Sequence, residues 1–204
     1  MSSINIGILG LQGDIEEHIT SINSAFDDDS IDGQAIIVKN SYDLTKVHGL
    51  IIPGGESTVI GSLATTRSLL KDLGENIKNG LPILGTCAGL ILLSKRTYDK
   101  VVGEKSQPIL GVLDVVVERN AFGRQRESFE AEFHISKFSS NFQGVFIRAP
   151  LIRQTGDGVD VLAKLGGNII AVQQGNVVGT CFHPELSSSL IFHKYLIEMA
   201  SKSV

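Results

Sequence analysis

The sequence predicts a single α/β domain built on a mixed sheet. Its 204 residues have the length of one domain, and a chain of this size buries a substantial core. In the first half, short runs of Ile, Val and Leu alternate with amphipathic stretches, as strands and helices do around a parallel sheet. In the second half, strand-like segments follow one another across Gly-rich and polar turns, which predicts partly antiparallel structure. No repeat or linker divides the chain, so we expect one domain over residues 1–204.

The first half contains the alternating elements of this pattern. The predicted strands are short apolar runs, typical of strands buried on both faces, and they cover residues 4–11, 35–38, 50–52 and 82–84. The predicted helices have apolar side chains at helical spacing, and they cover residues 14–26, 57–79 and 88–96. This order places a helix after most strands, as a parallel sheet requires.

The second half is predicted to be mostly β structure. The predicted strands cover residues 113–118, 129–135, 145–147, 159–165, 169–173 and 177–182, and a closing helix covers residues 189–201. Two polar segments are predicted to be exposed connections. Residues 27–33 form an acidic turn that lacks the Glu needed to close a calcium loop, and residues 99–108 show no apolar period.

The composition excludes several classes of protein. Eighteen Lys and Arg against 22 Asp and Glu give a net charge of −4, without the basic surface that nucleic-acid phosphates require. Only two cysteines occur, Cys87 and Cys181, so we expect unpaired thiols in a reducing compartment. The chain begins without a recognisable signal segment and has no run of about 18 apolar residues, so we expect a cytoplasmic protein with no membrane association.

The segment around Cys87 carries the strongest functional signal. An apolar strand runs into Gly85-Thr86-Cys87-Ala88-Gly89, and a helical pattern follows. This is the nucleophile elbow of hydrolases with sulfur in place of oxygen, and the glycines fit because the nucleophile lies on a strained strand-to-helix turn. The helix N-terminus favours a thiolate, and the backbone N–H of Ala88 is a donor for a developing oxyanion. The alternative is a buried structural cysteine, the commoner role of cysteine in general.

A cysteine nucleophile requires a base, and His183 has the most suitable setting. It ends the last predicted strand and is followed by Pro184, which stops the strand, and by Glu185, a carboxylate able to orient the ring. A His-x-Glu triplet is weak by itself and gains weight from the elbow. The other histidines are expected to be solvated or packed, and they are His18, His48, His134 and His193.

Two glycine-rich turns complete the predicted site. The strand at 50–52 runs into Pro53-Gly54-Gly55-Glu56-Ser57, where Ser57 is the expected helix cap and Gly55 the expected second oxyanion donor. An ordinary strand-to-helix turn is the alternative. Residues 7–13 space their glycines as G-x-x-G-x-x-G, which is not the dinucleotide fingerprint, so NAD binding is not expected. The sequence also has no Walker loop, no Gly-x-Ser-x-Gly and no metal-spaced Cys/His cluster.

With these segments assembled, the chain resembles the class I (triad) glutamine amidotransferases, whose signatures are a Pro-Gly-Gly turn, a Gly-x-Cys-x-Gly elbow and a C-terminal His-Pro-Glu. Within that group it resembles the glutaminase subunits of pyridoxal 5'-phosphate synthase. The resemblance spans nearly the whole chain. The segments that carry it are GLQG at 10–13, PGGEST at 53–58, GTCAGL at 85–90, VERNAFGRQ at 117–125, FIRAP at 146–150 and FHPE at 182–185.

The resemblance implies a fold, a reaction and a set of site residues. The fold is a three-layer sandwich around a mixed, mostly parallel, flavodoxin-like sheet. The reaction is hydrolysis of L-glutamine, with Cys87 as nucleophile, His183 as base and Glu185 as its orienting acid. No cofactor and no metal are expected. The residues implied to hold glutamine are Gly55, Glu56, Ser57, Arg119, Ile147 and Arg148.

The resemblance also implies a partner. In the family, ammonia passes to a synthase subunit that resembles a TIM barrel, within a hetero-oligomer. We expect Gln12 to couple glutamine hydrolysis to that partner, because its loop follows the first strand and lies at the carboxyl edge of the sheet near the elbow.

Other functions fit parts of the sequence. A cysteine peptidase or a chaperone-like hydrolase would share the elbow, and the segments containing Arg119 and Arg148 disfavour the peptidase. An inactive assembly subunit is disfavoured by the intact Cys87, His183 and Glu185. Glutamine amidotransferases of histidine or purine synthesis are nearer rivals, disfavoured by the same arginine segments. An ordinary structural salt bridge remains the alternative for each arginine.

Overall fold

The computed structural model describes residues 3–99, 103–104, 107–121 and 128–202. Along these residues, strands and helices alternate in the first half and strands dominate the second. The elements are β1 (Ile4–Leu9), α1 (Ile15–Asp29), β2 (Gly33–Val38), α2 (Ser41–Leu44), β3 (Gly49–Ile52), α3 (Ser57–Thr66), α4 (Leu69–Lys78), β4 (Ile83–Thr86), α5 (Ala88–Leu93), β5 (Ser94–Asp99), β6 (Gly103–Glu104), β7 (Leu113–Arg119), β8 (Phe129–Ile135), β9 (Ser140–Phe146), β10 (Leu151–Thr155), β11 (Asp160–Leu165), β12 (Asn168–Gln174), β13 (Val177–Thr180) and α6 (Ile191–Ser201).

One mixed sheet contains the strands, in the order β2-β1-β3-β4-β13-β12-β10-β7-β5-β6. The first five strands of this order are parallel to one another. β13 lies beside β4 with Thr180 opposite Thr86, so the residues that follow both strands leave the same carboxyl edge. The backbone N–H of Cys87 donates to Thr180 O at 2.8 Å and joins the two strand ends.

The second half extends the sheet by mostly antiparallel pairing. β13, β12, β10 and β7 are successive antiparallel neighbours, and β11, β8 and β9 continue from β12. β9 reaches the carboxyl edge of the parallel strands, where Val145 forms an isolated antiparallel bridge with His183. Phe182, next to His183, is fully buried among other aromatic rings. The rings around it belong to Phe133, Phe142, Phe146 and Phe192.

Helices flank the sheet in two groups, α1 with α6 and α3 with α4 and α5, as the predicted three-layer α/β fold requires. α4 shows how the sequence sets such packing, because it buries Leu69, Leu73 and Ile77 at i, i+4 and i+8. In the part of the chain that the structure describes, no helix is both long and apolar enough to cross a membrane.

Two predicted helices differ from the structure. The stretch 57–79 divides into α3 and α4 because Ser68 adopts a left-handed conformation with φ of 58°, which interrupts the helical backbone. The helix predicted over 88–96 ends at Leu93, and β5 follows. Residues from Ser94 onward pair in parallel with β7, and this long-range pairing overrides the local helical pattern.

The predicted strand at 145–147 was misplaced, because the strand β9 covers Ser140–Phe146. It pairs with β8 across a tight turn and alternates exposed Asn141 and Gln143 with buried Phe142, Gly144 and Phe146. Because polar residues alternate with apolar ones, the segment contains no continuous apolar run that would mark its start in the sequence. β10, β5, β6 and α2 were not predicted.

The two polar segments are also more ordered than expected. Residues 27–29 complete α1, which ends at the left-handed Ser30, and Lys194 of α6 pairs with Asp28 and Asp29. In the segment 99–108, Asp99 ends β5 and residues 103–104 form β6, while residues 100–102 and 105–106 lie outside the described residues.

Candidate active site

Cys87 lies on the turn between β4 and α5, at the carboxyl edge of the sheet. Its φ of 48° and ψ of −96° are unusual for a residue with a side chain, as an elbow position requires. A Cβ at Gly89 would lie 2.0 Å from the backbone oxygen of Ile52, so only glycine fits there. α5 has only six residues and is shorter than predicted. A helix this short has a small dipole, so the free backbone N–H groups of its first turn are the part of the helix that can stabilise the sulfur.

His183 follows β13 and lies 8 residues before the start of α6 in the same edge region as Cys87. Its backbone N–H donates to Val145 O at 2.9 Å, which fixes the residue to β9. Its ring Nδ1 is 2.8 Å from Oε1 of Glu185, which lies in a short 3-10 turn over Pro184–Leu186. Both side chains are buried, so the pair is shielded from water.

The charges around His183 favour its protonated form. Burial opposes a charge on the ring, but hydrogen bonds with Asp14, Cys87 and Glu185 outweigh burial and raise the pKa of His183 to about 12. Burial raises the pKa of Glu185, and the hydrogen bond with His183 opposes that rise. At neutral pH His183 is therefore an imidazolium beside the sulfur of Cys87, an arrangement that stabilises a thiolate.

Asp14 is a second carboxylate on the same ring nitrogen, and the sequence analysis missed it. Its Oδ2 is 3.1 Å from His183 Nδ1, and its side chain is about one-third exposed (35%) where that of Glu185 is buried. The hydrogen bond with His183 lowers the pKa of Asp14, so it is ionised at neutral pH. The only signal in the sequence was a carboxylate directly after Gly13, in the loop expected near the elbow.

Asp14, His183 and Glu185 have the donor types of a metal site, and their ligand atoms lie within 4.8 Å of one another. Both carboxylates are already engaged with His183 Nδ1, however. A cation there would compete with the ring proton that the carboxylates share. The hydrogen bonds with His183 explain why these three side chains lie together.

A cavity of about 230 Å³ opens in front of Cys87 and His183. It brings together every residue predicted for the site except Glu185, which lies behind His183. Three further lining residues were not predicted, namely Asp14, Ile91 and Asn120. The predicted residues that line it are Gln12, Gly55, Glu56, Ser57, Cys87, Ala88, Arg119, Ile147, Arg148 and His183.

The polar wall of the cavity is formed by Glu56 and two arginines. Arg119 Nη2 donates to Glu56 Oε1 at 2.9 Å. Arg119 therefore does form an ion pair within the chain, as the alternative in the sequence analysis proposed, through one of its nitrogens. Its Nε is buried and has no hydrogen-bond partner within the described residues, while Arg119 as a residue lines the cavity. Arg148 follows β9 with a φ of 44° and is exposed at the cavity mouth.

Gln12 connects the first loop to the Pro-Gly-Gly turn. Its Oε1 accepts a hydrogen bond from the backbone N–H of Glu56 at 2.8 Å, next to Gly55. Asp14 N–H also donates to Gly54 O, at 3.3 Å. These two hydrogen bonds join the first loop to the residues on either side of Gly55. Ser57 is the first residue of α3 rather than its cap, since Glu56 occupies the cap position without a side-chain capping bond.

Backbone strain is concentrated at this cavity. Among the described residues other than glycine, six have positive φ, and three of the six line the cavity. These three are Cys87, Asn120 and Arg148. Strain of this kind persists where the surrounding structure enforces it and is frequent at functional sites, so it supports the assignment of this cavity as the active site.

The other cysteine and two of the other histidines lie outside the cavity. Cys181 is a free thiol like Cys87, but it is fully buried, and burial raises its pKa. His134 is exposed, and His48 Nδ1 accepts a hydrogen bond from Asn5 N–H at 3.0 Å. The segment VERNAFGRQ is described only as far as Ala121, so Phe122, Gly123, Arg124 and Gln125 lie outside the described residues.

The paired carboxylates predict a non-additive mutational effect. Glu185→Gln is expected to lower kcat by less than the roughly 10⁴-fold loss seen when a lone orienting carboxylate is removed, because Asp14 still accepts from His183. Asp14→Asn is expected to cost only a few-fold, since Glu185 makes the shorter bond. The double variant is expected to approach the full loss. Steady-state kcat of the four proteins tests this, and a double variant equal to the product of the single losses would contradict it.

The chain is similar to known proteins over almost its entire length. The model of the SNO glutamine amidotransferase family matches residues 8–202. The chain is 44% identical over 202 residues to the pyridoxal 5'-phosphate synthase subunit PdxT of Nitrosopumilus maritimus (strain SCM1), covering 98% of each chain. It is 47% identical over 200 residues to the protein of the same name from Sulfurisphaera tokodaii, covering 98% of this chain and 100% of the relative. A solved structure described as a glutamine amidotransferase superimposes with a TM-score of 0.84 at 44% identity, covering 96% of this chain and 98% of the other.

Proposed function

The chain belongs to the SNO glutamine amidotransferase family, and from this premise we propose that it hydrolyses L-glutamine to L-glutamate and ammonia. The proposal assigns the reaction to Cys87, His183 and Glu185, within one catalytic domain spanning residues 1–204. The observation that carries it is the cavity in which a strained elbow cysteine meets an imidazolium held by the buried carboxylate of Glu185 and the partly exposed carboxylate of Asp14.

In the first step, the Cys87 thiolate attacks the side-chain carboxamide carbon of glutamine. The carbonyl oxygen takes the negative charge and is stabilised by the backbone N–H groups of Gly55 and Ala88, which line the cavity. The C–N bond then breaks, and His183 gives its proton to the departing nitrogen, which leaves as ammonia. The raised pKa of His183 supports this role, because the ring is already protonated when the step begins.

In the second step, water hydrolyses the γ-glutamyl thioester on Cys87. His183, now neutral, takes a proton from the water as its oxygen attacks the thioester carbon. Collapse of this intermediate breaks the C–S bond, releases glutamate and restores the thiolate and imidazolium. Glu185 holds the ring through Nδ1 in both steps. The two steps use only groups of the chain itself, so we propose that no cofactor takes part.

The charges on the cavity wall suit the α-amino acid end of glutamine. The guanidinium groups of Arg119 and Arg148, two residues that line the cavity, are suited to the α-carboxylate, and the Glu56 carboxylate is suited to the α-ammonium group. Ser57 and Ile147 complete the walls. A cavity of about 230 Å³ is small for a peptide segment, which favours a free amino acid over the substrate of a cysteine peptidase.

Replacing either arginine by lysine is expected to raise KM for glutamine, by about 10-fold or more, with a smaller change in kcat. An ammonium is a point charge and does not reproduce a planar, two-bond grip on a carboxylate. The Arg119 variant also loses the bond to Glu56. Initial rates over a range of glutamine concentrations measure both constants, and unchanged kinetics in both variants would assign the arginines to structural ion pairs.

We further propose that the ammonia passes to a synthase subunit of the TIM-barrel type in a hetero-oligomer that makes pyridoxal 5'-phosphate. The support is the name of the relatives, each a pyridoxal 5'-phosphate synthase subunit similar to this chain from end to end. The nucleophile must remain a free thiol, so we place the enzyme in a reducing compartment, the cytoplasm. In this proposal the residues of the triad and of the cavity walls all belong to this chain.

Titration with a candidate synthase subunit tests the proposed function. Ammonia release from glutamine is expected to rise by about 10² to 10³-fold on binding, which is the effect of one oxyanion-hole donor on kcat. The reason is that a partner pressing on the Gln12 loop reorients the neighbouring Gly55 amide. Gln12→Ala is expected to lose much of this activation. Gln143→Ala, which changes an exposed glutamine of β9, is the matched control. Equal rates with and without the synthase would refute the coupling, and no ammonia in either case would refute the glutaminase.

A further inference from the structure

Two buried histidines lie behind Glu185, and the reaction described above does not use them. His18 in α1 and His193 in α6 are both fully buried. Their rings meet, with His18 Nδ1 at 3.1 Å from His193 Nε2. On the other side of the ring, His18 Nε2 is 3.3 Å from Thr86 Oγ1 and 3.4 Å from Glu185 Oε2. A continuous polar chain therefore leads from α6 through His18 to the carboxylate that holds His183.

The second oxygen of Glu185 is the atom that this chain reaches. Oε1 is engaged with His183, whereas Oε2 is buried and has no hydrogen bond of ordinary geometry within the described residues. A buried carboxylate oxygen without a donor is costly. His18 Nε2 faces it at 3.4 Å, which is long for a hydrogen bond. Catalytic hydrogen bonds are often long in the unliganded enzyme and shorten when the substrate binds.

Electrostatics select one tautomer of His18. A lone pair on Nε2 would face the lone pairs of the Glu185 carboxylate, so the proton belongs on Nε2, within reach of both Glu185 Oε2 and Thr86 Oγ1, and Nδ1 is the acceptor. Nδ1 then receives the proton of His193 Nε2. This leaves His193 Nδ1 as a bare lone pair, and it is the atom of that ring with no partner in the described structure. A buried acceptor without a partner is tolerated better than a buried donor without one.

The surroundings keep His18 neutral. Burial lowers its pKa well below 6.5, with further contributions from the charges of His193 and His183. Burial lowers the pKa of His193 to about 3. Among the described residues, three ionisable groups surround Glu185, and they are His183 on its own turn, Asp14 before α1 and His18 in α1. The strand β9 packs on the same turn and has no ionisable side chain.

We propose that His18 is a positioning residue, whose neutral Nε2–H stabilises the ionised form of Glu185 and thereby holds His183 against Cys87. This inference rests on the glutaminase function proposed above. Without the donor, the carboxylate is harder to maintain, and Glu185 takes up a proton at higher pH. A protonated Glu185 holds the imidazolium less well, with Asp14 as the one carboxylate left on Nδ1 among the described residues, so turnover falls first on the acidic side of the pH profile.

Two substitutions that differ in reach test the proposal, assayed with the synthase partner present. The amide nitrogen of Gln reaches the position of a histidine Nε2, whereas that of Asn reaches only the position of Nδ1. His18→Gln is expected to keep kcat within about 3-fold of the wild type. His18→Asn is expected to lower kcat by about 10- to 100-fold and to move the acidic limb of the profile up by about one pH unit. KM should not change in either variant, because His18 does not line the cavity.

His193→Asn is the matched control, because it makes the same change one hydrogen bond further from Glu185. A purely structural role for the buried pair predicts that His18→Asn and His193→Asn act alike on thermal stability and on kcat. The positioning role predicts a shifted acidic limb in His18→Asn alone. An unshifted limb in His18→Asn, or equal shifts in both variants, would overturn the proposal.

Nitrogen-15 NMR of histidine-labelled wild-type protein provides a test that needs neither a folded variant nor glutamine turnover. It is expected to show His18 protonated at Nε2 and unprotonated at Nδ1 across the neutral range. A proton on Nδ1, or a doubly protonated ring, would overturn the proposal. A wild type that releases no ammonia would refute the glutaminase function, and the tautomer would still decide whether His18 carries the Nε2 proton that the positioning role requires.

Discussion

Replacing Cys87 by alanine is expected to lower kcat for glutamine hydrolysis by about 10⁴- to 10⁶-fold, the range for loss of a nucleophile. Without sulfur no thioester forms, and water has to attack the carboxamide directly. The oxyanion donors and the cavity remain, so glutamine binding should persist. Ammonia release by the variant in complex with its synthase partner measures the loss.

Cys181→Ala is the control for this prediction. Cys181 is a free thiol as well, but it is fully buried one residue beyond β13 and its Sγ contacts Ile169 O at 3.8 Å. Burial raises its pKa and keeps it a neutral thiol. We expect this variant to retain most of the turnover and to lose about 1 kcal/mol of stability. Turnover that survives the loss of Cys87 would remove this residue from the mechanism.

His183→Ala is expected to cost about as much as loss of the nucleophile, because residues of a triad act as a unit. The variant lacks both the imidazolium that stabilises the thiolate and the acid that protonates ammonia. Its loss should exceed that of Glu185→Gln, where Asp14 remains on the ring nitrogen. The order of the three kcat values is the decisive comparison.

A matched histidine variant separates this effect from a loss of fold. His134→Ala changes an exposed histidine of β8 and should leave kcat near the wild-type value. A His183→Ala protein with normal thermal stability and near-normal kcat would require a different base. Thermal unfolding of both variants is measured beside the kinetics.

The parts of the site that the sequence predicted are those with a local signature. The elbow needs glycine where Gly89 passes Ile52 O, and Pro184 begins the 3-10 turn directly after His183, although β13 already ends at Thr180 rather than at the predicted residue 182. Each signal occupies a few consecutive residues with one steric reason. The alternation of strands and helices in the first half likewise predicted the parallel sheet, and parallel pairing placed the two segments at one edge.

The parts that were missed depend on contacts between distant segments. Asp14, His18 and His193 gain their positions only when α1 and α6 pack beside the turn after β13, and His18 and His193 are 175 residues apart. Each lies in or beside a helical stretch, where the local pattern left both solvation and packing open for the two histidines and did not indicate that these residues meet at the site. The strand β5 was missed for a related reason, because its pairing with β7 overrides the local pattern of the segment.

Covalent trapping tests the central claim most directly. A glutamine analogue with an electrophilic group at the γ-carbon is incubated with the protein and its synthase partner, and the adduct is located by peptide mass spectrometry. We expect one adduct per chain on Cys87, formed more slowly when L-glutamine is present as a competitor. An adduct on Cys181, or labelling of Cys87 that glutamine does not slow, would contradict the account.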